Sequence, residues 1–424
     1  MNELLSTYLI NYYNKKEVGY RLLPEIKLGE FWPELVRFRQ AKAEFLPFKD
    51  QAGKPFWFVL TPKLQEYLHQ VDSRGKDSLY SVVKEEIQAE LTEQALVEEA
   101  MFSSVIEGAF ATIARARELI VEGKPPRDTS DQMVANNGRV MRYVLEQREA
   151  ACSIELMHAI QRMVTEKTLE DETTAGRFRD GPVFVVNQRR ETIYEAPPAD
   201  TVQPSMERLV HWINDEGQQP FIHPILRAAI IHTYLVYVHP YVDGNGRTAR
   251  ALFYWYLLKH RYEFFRYFSI SSIIQETRER YYKALKDMEE HEADATYVLL
   301  YMAESVVRAI DVILQRITER YRRDILFANL RERHIILNER QTRFLKSLTV
   351  SKEKRGTIAR YQRDFKVVYE TARRDLAHLE TLGILARGKQ GRQFMYTLNP
   401  AFLTVGKVST PTAPKTTEFR GQST

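Results

Sequence analysis

The sequence predicts a mainly α-helical protein with one short β-hairpin and a small C-terminal winged helix-turn-helix domain. Three observations carry that prediction. Apolar residues recur at spacings of three and four, as in Leu64-Tyr67-Leu68, Val83-Ile87-Leu91 and Ile154-Met157-Ile160-Met163-Val164, the mark of amphipathic helices packed on a core. The habit breaks between Pro182 and Glu195, where Val183-Phe184-Val185-Val186 and Thr192-Ile193-Tyr194 flank Asn187-Gln188-Arg189-Arg190. That is a hairpin signal, closed by the helix-breaking Pro197-Pro198. From about Leu337 three short helical stretches precede a basic two-stranded hairpin, the order of a winged helix-turn-helix.

Taken from the N-terminus, residues 1–95 read as a mixed helical region in which Phe56-Trp57-Phe58-Val59-Leu60 suits a buried strand and Pro62 and Leu64 open a helix. No chemistry is legible up to about Asp72. A second region, 96–333, holds the hairpin at 182–195 and resumes helical periodicity from Ser205 to about Arg333. The third, 334–400, reads as helices Glu339 to Leu348, Thr357 to Phe365 and Glu370 to Leu382, with a polar turn from Ser351 to Gly356. Residues 401–424, rich in Thr, Ser, Gly and Pro, are expected to be a disordered tail. A length of 424 residues suits two or three such domains.

Composition sets limits. With 44% apolar residues, 18 Gly and 17 Pro, a collagen, a coiled-coil rod and bulk disorder are excluded. A single cysteine, Cys152, excludes an internal disulfide or a cysteine zinc cage and fits a reducing compartment. Glu3, Asn11 and Lys15-Lys16 interrupt the start too early for a secretory segment. The longest apolar stretch, Ile225 to Val242, contains Arg227, His232 and His239 and is too polar to span a bilayer. A cytoplasmic protein without a membrane partner is expected. Residues 335–400 carry 14 Lys and Arg against 6 Asp and Glu, a balance of +8 that leaves −3 for the rest of the chain. Such a basic module is an electrostatic footprint for DNA. Arg373 and Arg374, beside Thr371, are recognition-helix candidates, and Arg387, Lys389 and Arg392 suit phosphate contacts from the wing. A helix that only packs, or a protein-docking module, fits the same residues.

The stretch that carries chemistry is His239-Pro240-Tyr241-Val242-Asp243-Gly244-Asn245-Gly246-Arg247-Thr248-Ala249-Arg250. It joins two apolar helices, Pro224 to Val238 and Arg247 to Lys259, and its glycines permit a tight turn with exposed N–H groups. The loop empties into a helix N-terminus, whose free amides and positive dipole end favour an anion. Arg247 and Arg250, three apart, share a helix face and are placed to grip phosphate oxygens. Asp243 offers a hard oxygen ligand for a phosphate-bound Mg2+. His239 has the pKa for proton removal near neutral pH. Together these groups describe phosphoryl or nucleotidyl transfer.

These twelve residues resemble the signature of Fic-domain proteins, His-Pro-Phe-x-Asp/Glu-Gly-Asn-Gly-Arg-x-x-Arg, with Tyr241 in place of the usual Phe. The resemblance extends to Gly176-Arg177-Phe178-Arg179, to Pro197-Pro198 and to Arg280-Tyr281-Tyr282-Lys283-Ala284-Leu285, over roughly Leu96 to Tyr301. It implies a Fic-type helical core and AMP transfer from ATP to a Ser, Thr or Tyr hydroxyl of a target protein or of the chain itself, with loss of pyrophosphate. Carried over, His239 would deprotonate the hydroxyl and Asp243 would hold the metal. Gly244, Asn245 and Gly246 would form the anion hole, and Arg247 and Arg250 would bind phosphates. Val183, Phe184, Val185 and Val186 would belong to a flap clamping the target, and Tyr282, with Tyr281 beside it, would line the adenine pocket. A homodimer is left open.

Upstream, Ser103-Ser104-Val105-Ile106-Glu107-Gly108 lies in a helical context. Ser103 and Glu107 share one face, and Gly108 permits close approach to a neighbouring backbone. The segment resembles the Fic inhibitory motif, Ser/Thr-x-x-x-Glu-Gly/Asn, which implies that an inhibitory helix near 95–108 pairs Glu107 with Arg250 and holds ATP unproductively. The function so implied is an autoinhibited protein adenylyltransferase. The alternatives are a DNA-binding regulator that uses the core as a nucleotide sensor, against which the intact His239 speaks, and removal of AMP from a modified protein.

Overall fold

Helices apolar on every face belong in a core, and Pro224–Val238 and Asn245–Lys259 form the centre of the larger of two units. Only Pro224 and Val236 of the first, and Gly246 and Lys259 of the second, are less than buried. Pro224 opens the first helix, where its missing N–H costs nothing, and His223 Nδ1 accepts the Ile225 N–H at 3.2 Å. The helix stops at His239, whose backbone is left-handed (φ 50°), and Gly244 (φ 81°) turns the chain into the second helix. A left-handed non-glycine residue is strained, so His239 holds that conformation only because its surroundings fix it.

This computed structural model describes residues 2–79, 83, 85–186, 192–215, 217, 220–350, 355–391 and 393–403. The units are Met1–Ile313 and Leu314–Thr424. In the larger one, helices Glu85–Ile106, Thr129–Glu146, Ile154–Thr165 and Val202–Asn214 pack around the central pair. Asp128 and Ser153 cap two of them by accepting the Asp131 and Leu156 N–H groups, each cap worth about 1 kcal/mol. No division falls at residue 95, because helix Glu85–Ile106 runs through it. The first 71 residues belong to the same unit. Strand Pro55–Val59 pairs antiparallel with Ala43–Lys49, as Phe56-Trp57-Phe58 led one to expect. Trp57 donates its N–H to Ala293 O and accepts from Ala295 N–H. Arg39, fully buried, donates to Tyr297 Oη, Tyr8 O and Tyr13 O, while Tyr12 Oη donates to Asp294 at 2.7 Å. The N-terminal region is thus sewn to the loop that follows helix Arg278–Glu290.

The smaller unit begins inside helix Thr296–Glu332 rather than at 334, since Leu326 and Leu330 join its core with Phe344, Leu348, Tyr361, Leu376 and Leu379. Helices Glu339–Val350, Ile358–Phe365 and Tyr369–Thr381 precede strands Leu385–Gln390 and Gln393–Leu398. Arg355–Gly356, expected as part of a turn, adds a third strand beside Gln393–Leu398. Residues 401–403, placed in the tail by composition, are ordered: Phe402 is buried, and Asn329 Nδ2 donates to its carbonyl. The remaining tail, 404–424, lies outside the described residues. Among the described residues no helix is long and apolar enough to cross a membrane.

Candidate active site

The end of helix Pro224–Val238 fixes His239. Its Nδ1 lies 3.1 Å from the Val236 carbonyl, so that nitrogen carries the proton and Nε2 keeps its lone pair, while the ring lines a cavity of about 740 Å³. Burial pulls its pKa below the ordinary value, and the imidazole is neutral at pH 7. The Tyr241 hydroxyl, which the usual Phe would lack, is buried and meets His158 Nδ1 at 3.2 Å.

The residues after it divide into those that build the loop and those that face the cavity. The Asn245 side chain braces the loop: it accepts from Tyr241 N–H at 2.9 Å and donates to Tyr241 O at 2.8 Å. The Gly244 N–H is taken by Asp243 Oδ1 at 2.6 Å. Arg247 is buried, with Nη1 on Val164 O (2.7 Å) and Nη2 on Asp243 Oδ2 (3.0 Å), so it is not among the cavity-lining residues. Of the two arginines expected to grip phosphates, only Arg250 lines the cavity. Although three positions apart, the two long side chains diverge, because Arg247 is drawn to the free carbonyls at the C-terminus of Ile154–Thr165. Asp243 is half exposed at the loop mouth.

Arg250 and Gly246 do line the cavity, and both meet the upstream motif. Arg250 Nη2 lies 2.8 Å from Glu107 Oε1, and its Nε and Nη2 donate to Ser103 Oγ and Ser103 O, each at 2.9 Å. A methyl group on Gly246 would strike Glu107 Oε1, so the carboxylate sits against the first turn of Asn245–Lys259, where an anion belongs. Burial pushes the Glu107 carboxyl up, but the Arg250 guanidinium, helped by Arg247 and His239, outweighs it and holds the pKa below the ordinary value. Gly108 serves otherwise than expected: nothing crowds it, and its left-handed backbone (φ 97°) ends the helix.

The hairpin pairs Val185 with Tyr194 and Phe184 with Glu195. Val185 and Tyr194 line the cavity, whereas Phe184 faces solvent. Val183 precedes the strand and accepts the Ala196 N–H. The side chain of Val186 and the turn 187–191 lie outside the described residues. Across the cavity, Tyr282 is exposed and Tyr281 is buried with its hydroxyl 2.9 Å from His232 Nε2. Burial, with Arg250 second, pushes His232 down to about 3, so it stays neutral beside Arg250. Both tyrosines line the cavity, Tyr282 the more exposed of the two.

Arg179, quoted above in a motif but given no task, proves central. Buried between hairpin and loop, it donates to His239 O (2.7 Å), Gly181 O (2.8 Å), Val238 O (3.3 Å) and Pro197 O. Its own N–H reaches Pro240 O at 2.9 Å. Arg179→Met should destabilise the protein by about 3 kcal/mol, because it strands several buried carbonyls. Chemical denaturation with an unchanged m-value would register the loss, and an unshifted midpoint would refute it. Tyr237, Lys286 and Glu289 also line the cavity without a motif to announce them.

In the smaller unit, Arg373 and Arg374 both pair with Glu370, at 2.8 and 3.1 Å, and Arg387 pairs with Glu380 at 3.2 Å. Lys389 is exposed, and Arg392 lies outside the described residues.

A neutral imidazole, a guanidinium and a helix N-terminus thus stand around one cavity of a helical domain. Residues 151–257 match the Fic/DOC family. It is 31% identical to a protein adenylyltransferase Fic of Nematostella vectensis over 44% of this chain and 43% of that one. It is 27% identical to that of Drosophila virilis over 49% and 41%. The chain thus spans less than half the length of these relatives. A crystal structure of a Fic family protein from Desulfovibrio desulfuricans G20 shares the fold, with a TM-score of 0.51 and 18% identity over 80% of this chain and 97% of that one.

Proposed function

We propose that this chain is an autoinhibited protein adenylyltransferase that moves AMP from ATP to a Ser, Thr or Tyr hydroxyl. The observation that carries this is the convergence of His239 Nε2, Gly246 and the Glu107–Arg250 pair on one cavity. The acceptor oxygen attacks the α-phosphorus, its proton passes to His239 Nε2, and the bond to the bridging oxygen of pyrophosphate breaks. Arg250, freed from Glu107, neutralises the departing phosphates. The flap, through Val185 and Tyr194, holds an extended target segment by strand addition. Tyr282 supplies a stacking face for adenine.

Asp243 fits a Mg2+ held mainly by substrate phosphates: one half-exposed carboxylate at the loop mouth is what such an ion asks of the protein. Mg2+ bound there would supply charge neutralisation of the phosphates. Incubation with α-labelled ATP and magnesium tests the proposal. Label should enter protein, and excess chelator should abolish it. Asp243→Asn should lower incorporation about 10- to 100-fold, and unchanged labelling in that variant would remove Asp243 from the metal site.

A second direction, hydrolytic removal of AMP, is favoured by one observation: Glu107 and His239 line the same cavity, so the carboxylate can orient a water towards a bound AMP ester. For the smaller unit we retain a winged helix by its element order. The sharing of Glu370 by Arg373 and Arg374 counts against phosphate contacts from that helix face.

A further inference from the structure

The helix that ends in the inhibitory residues is held very unevenly along its length. Glu99, one turn before Ser103, is a buried carboxylate that accepts from Tyr254 Oη (2.8 Å), Ser269 Oγ (2.7 Å), Ser271 N–H (3.0 Å) and Ser271 Oγ. A carboxylate satisfied this fully is costly to withdraw, since departure would strand four donors in a core. Asn137, also buried, donates to Ser104 Oγ at 2.9 Å, and that hydroxyl donates to Ala100 O. Up to Ser104, then, the helix is part of the core, and beyond it Ile106 is still buried while Glu107 and Gly108 are exposed.

Beyond Ser104 the support changes. The chain leaves the helix at Gly108, with Glu107 N–H and Ala109 N–H both directed to Ser104 O. The carbonyl of Ile106, the last helical residue, is gripped from the opposite wall by Arg278 Nη2 at 2.8 Å. Arg278 is the first residue of helix Arg278–Glu290, and its guanidinium also lies 5.5 Å from the ring centre of Tyr282, one turn on. Ile106, Glu107 and Tyr282 line the cavity, whereas Arg278 is not among its lining residues. It acts from behind the wall as a strut between the end of one helix and the start of another. A cation on a terminal helix carbonyl is favourable for both partners.

We propose that Arg278 is a positioning residue for the brake: it holds the last turn, residues 105–108, so that Glu107 stays on Arg250. The brake then opens by loosening of that turn about Ser104, not by departure of the helix. The activity arm of the test rests on the transfer reaction proposed above; the exchange arm does not.

Amide hydrogen exchange on the full chain decides the first part. In Arg278→Ala, amides 105–109 should exchange about tenfold faster, the equivalent of one charge-assisted hydrogen bond, with residues 96–103 and 245–259 unchanged. Arg278→Lys, which keeps the charge, should recover part of the protection. Unchanged exchange at 105–109 overturns the proposal, and so does acceleration that spreads back through residue 96. In the activity arm, Arg278→Ala should raise label transfer from ATP about tenfold, yet add nothing in a Glu107→Gly background. Lower transfer in both backgrounds would make Arg278 a nucleotide contact instead and overturn the positioning role. Should Glu107→Gly alone give no transfer with any nucleotide, the transfer reaction falls, while the exchange result still decides the strut.

Discussion

Glu107→Gly is expected to raise incorporation of label from α-labelled ATP about 10- to 100-fold over the wild type, the range set by one charge-assisted hydrogen bond of roughly 1.5–3 kcal/mol. In the resting protein Arg250 is held by Glu107 at 2.8 Å and by Ser103 through Nε and Nη2. A phosphate can claim the guanidinium only when the carboxylate leaves. Removing the partner of the buried Arg250 guanidinium leaves that charge wanting a counterion, and the incoming polyphosphate supplies it. The variant should therefore also bind ATP more tightly, which equilibrium titration without any acceptor would detect. Equal labelling by the two proteins would end the case for a brake. Acid cannot substitute for the mutation. The Glu107 pKa is depressed, so its ionised, paired form persists above the ordinary carboxylate range and is lost only as pH falls through the lower, folded value.

His239→Ala, introduced into the Glu107→Gly protein, is expected to lower transfer about 10²- to 10⁴-fold, the usual worth of a positioned general base, with ATP affinity unchanged. The imidazole lines the cavity, while the anion site is formed by Arg250 and the helix N-terminus. Its pH dependence follows from burial. Because the folded pKa lies below the ordinary value near 6.5, the neutral form predominates throughout the neutral range. The rate should rise with pH through a midpoint below 6.5 and be flat from pH 7 upward. A rising limb centred above pH 7, or labelling that survives in His239→Ala, would assign the proton to another group.

Much of this site was legible in the chain because its parts are consecutive. His239 to Arg250 fall within twelve residues, and the pairing of a loop with a helix N-terminus follows from Gly244 and the apolar run after it. The inhibitory contact joins residues 143 positions apart, and only the resemblance of Ser103 to Gly108 to a known motif brought it forward. What stayed hidden depends on direction rather than identity. Arg247 and Arg250 differ in which neighbour draws them, Val164 O or Glu107, and no local pattern encodes that. Asn245 has the side chain to hold an anion, and spends it on Tyr241. Arg179 was visible as a letter, but its partners come from both hairpin stems and the loop, which only the fold assembles. In the smaller unit, the strand Arg355–Gly356 is two residues long, too short for alternation to reveal.

The Arg179 contacts have a consequence for the choice of acceptor. One guanidinium is shared by Gly181 and Pro197 at the base of the hairpin and by Val238 and His239 at the base of the imidazole. The base of the hairpin and the backbone that carries the imidazole are therefore tied together, and a strand laid along the flap would be gauged against Nε2. Successive side chains of such a strand point to opposite faces. A hydroxyl one residue out of step would face away from the imidazole, and the proposed transfer would select its acceptor by count along the target backbone as much as by the chemistry of its neighbours.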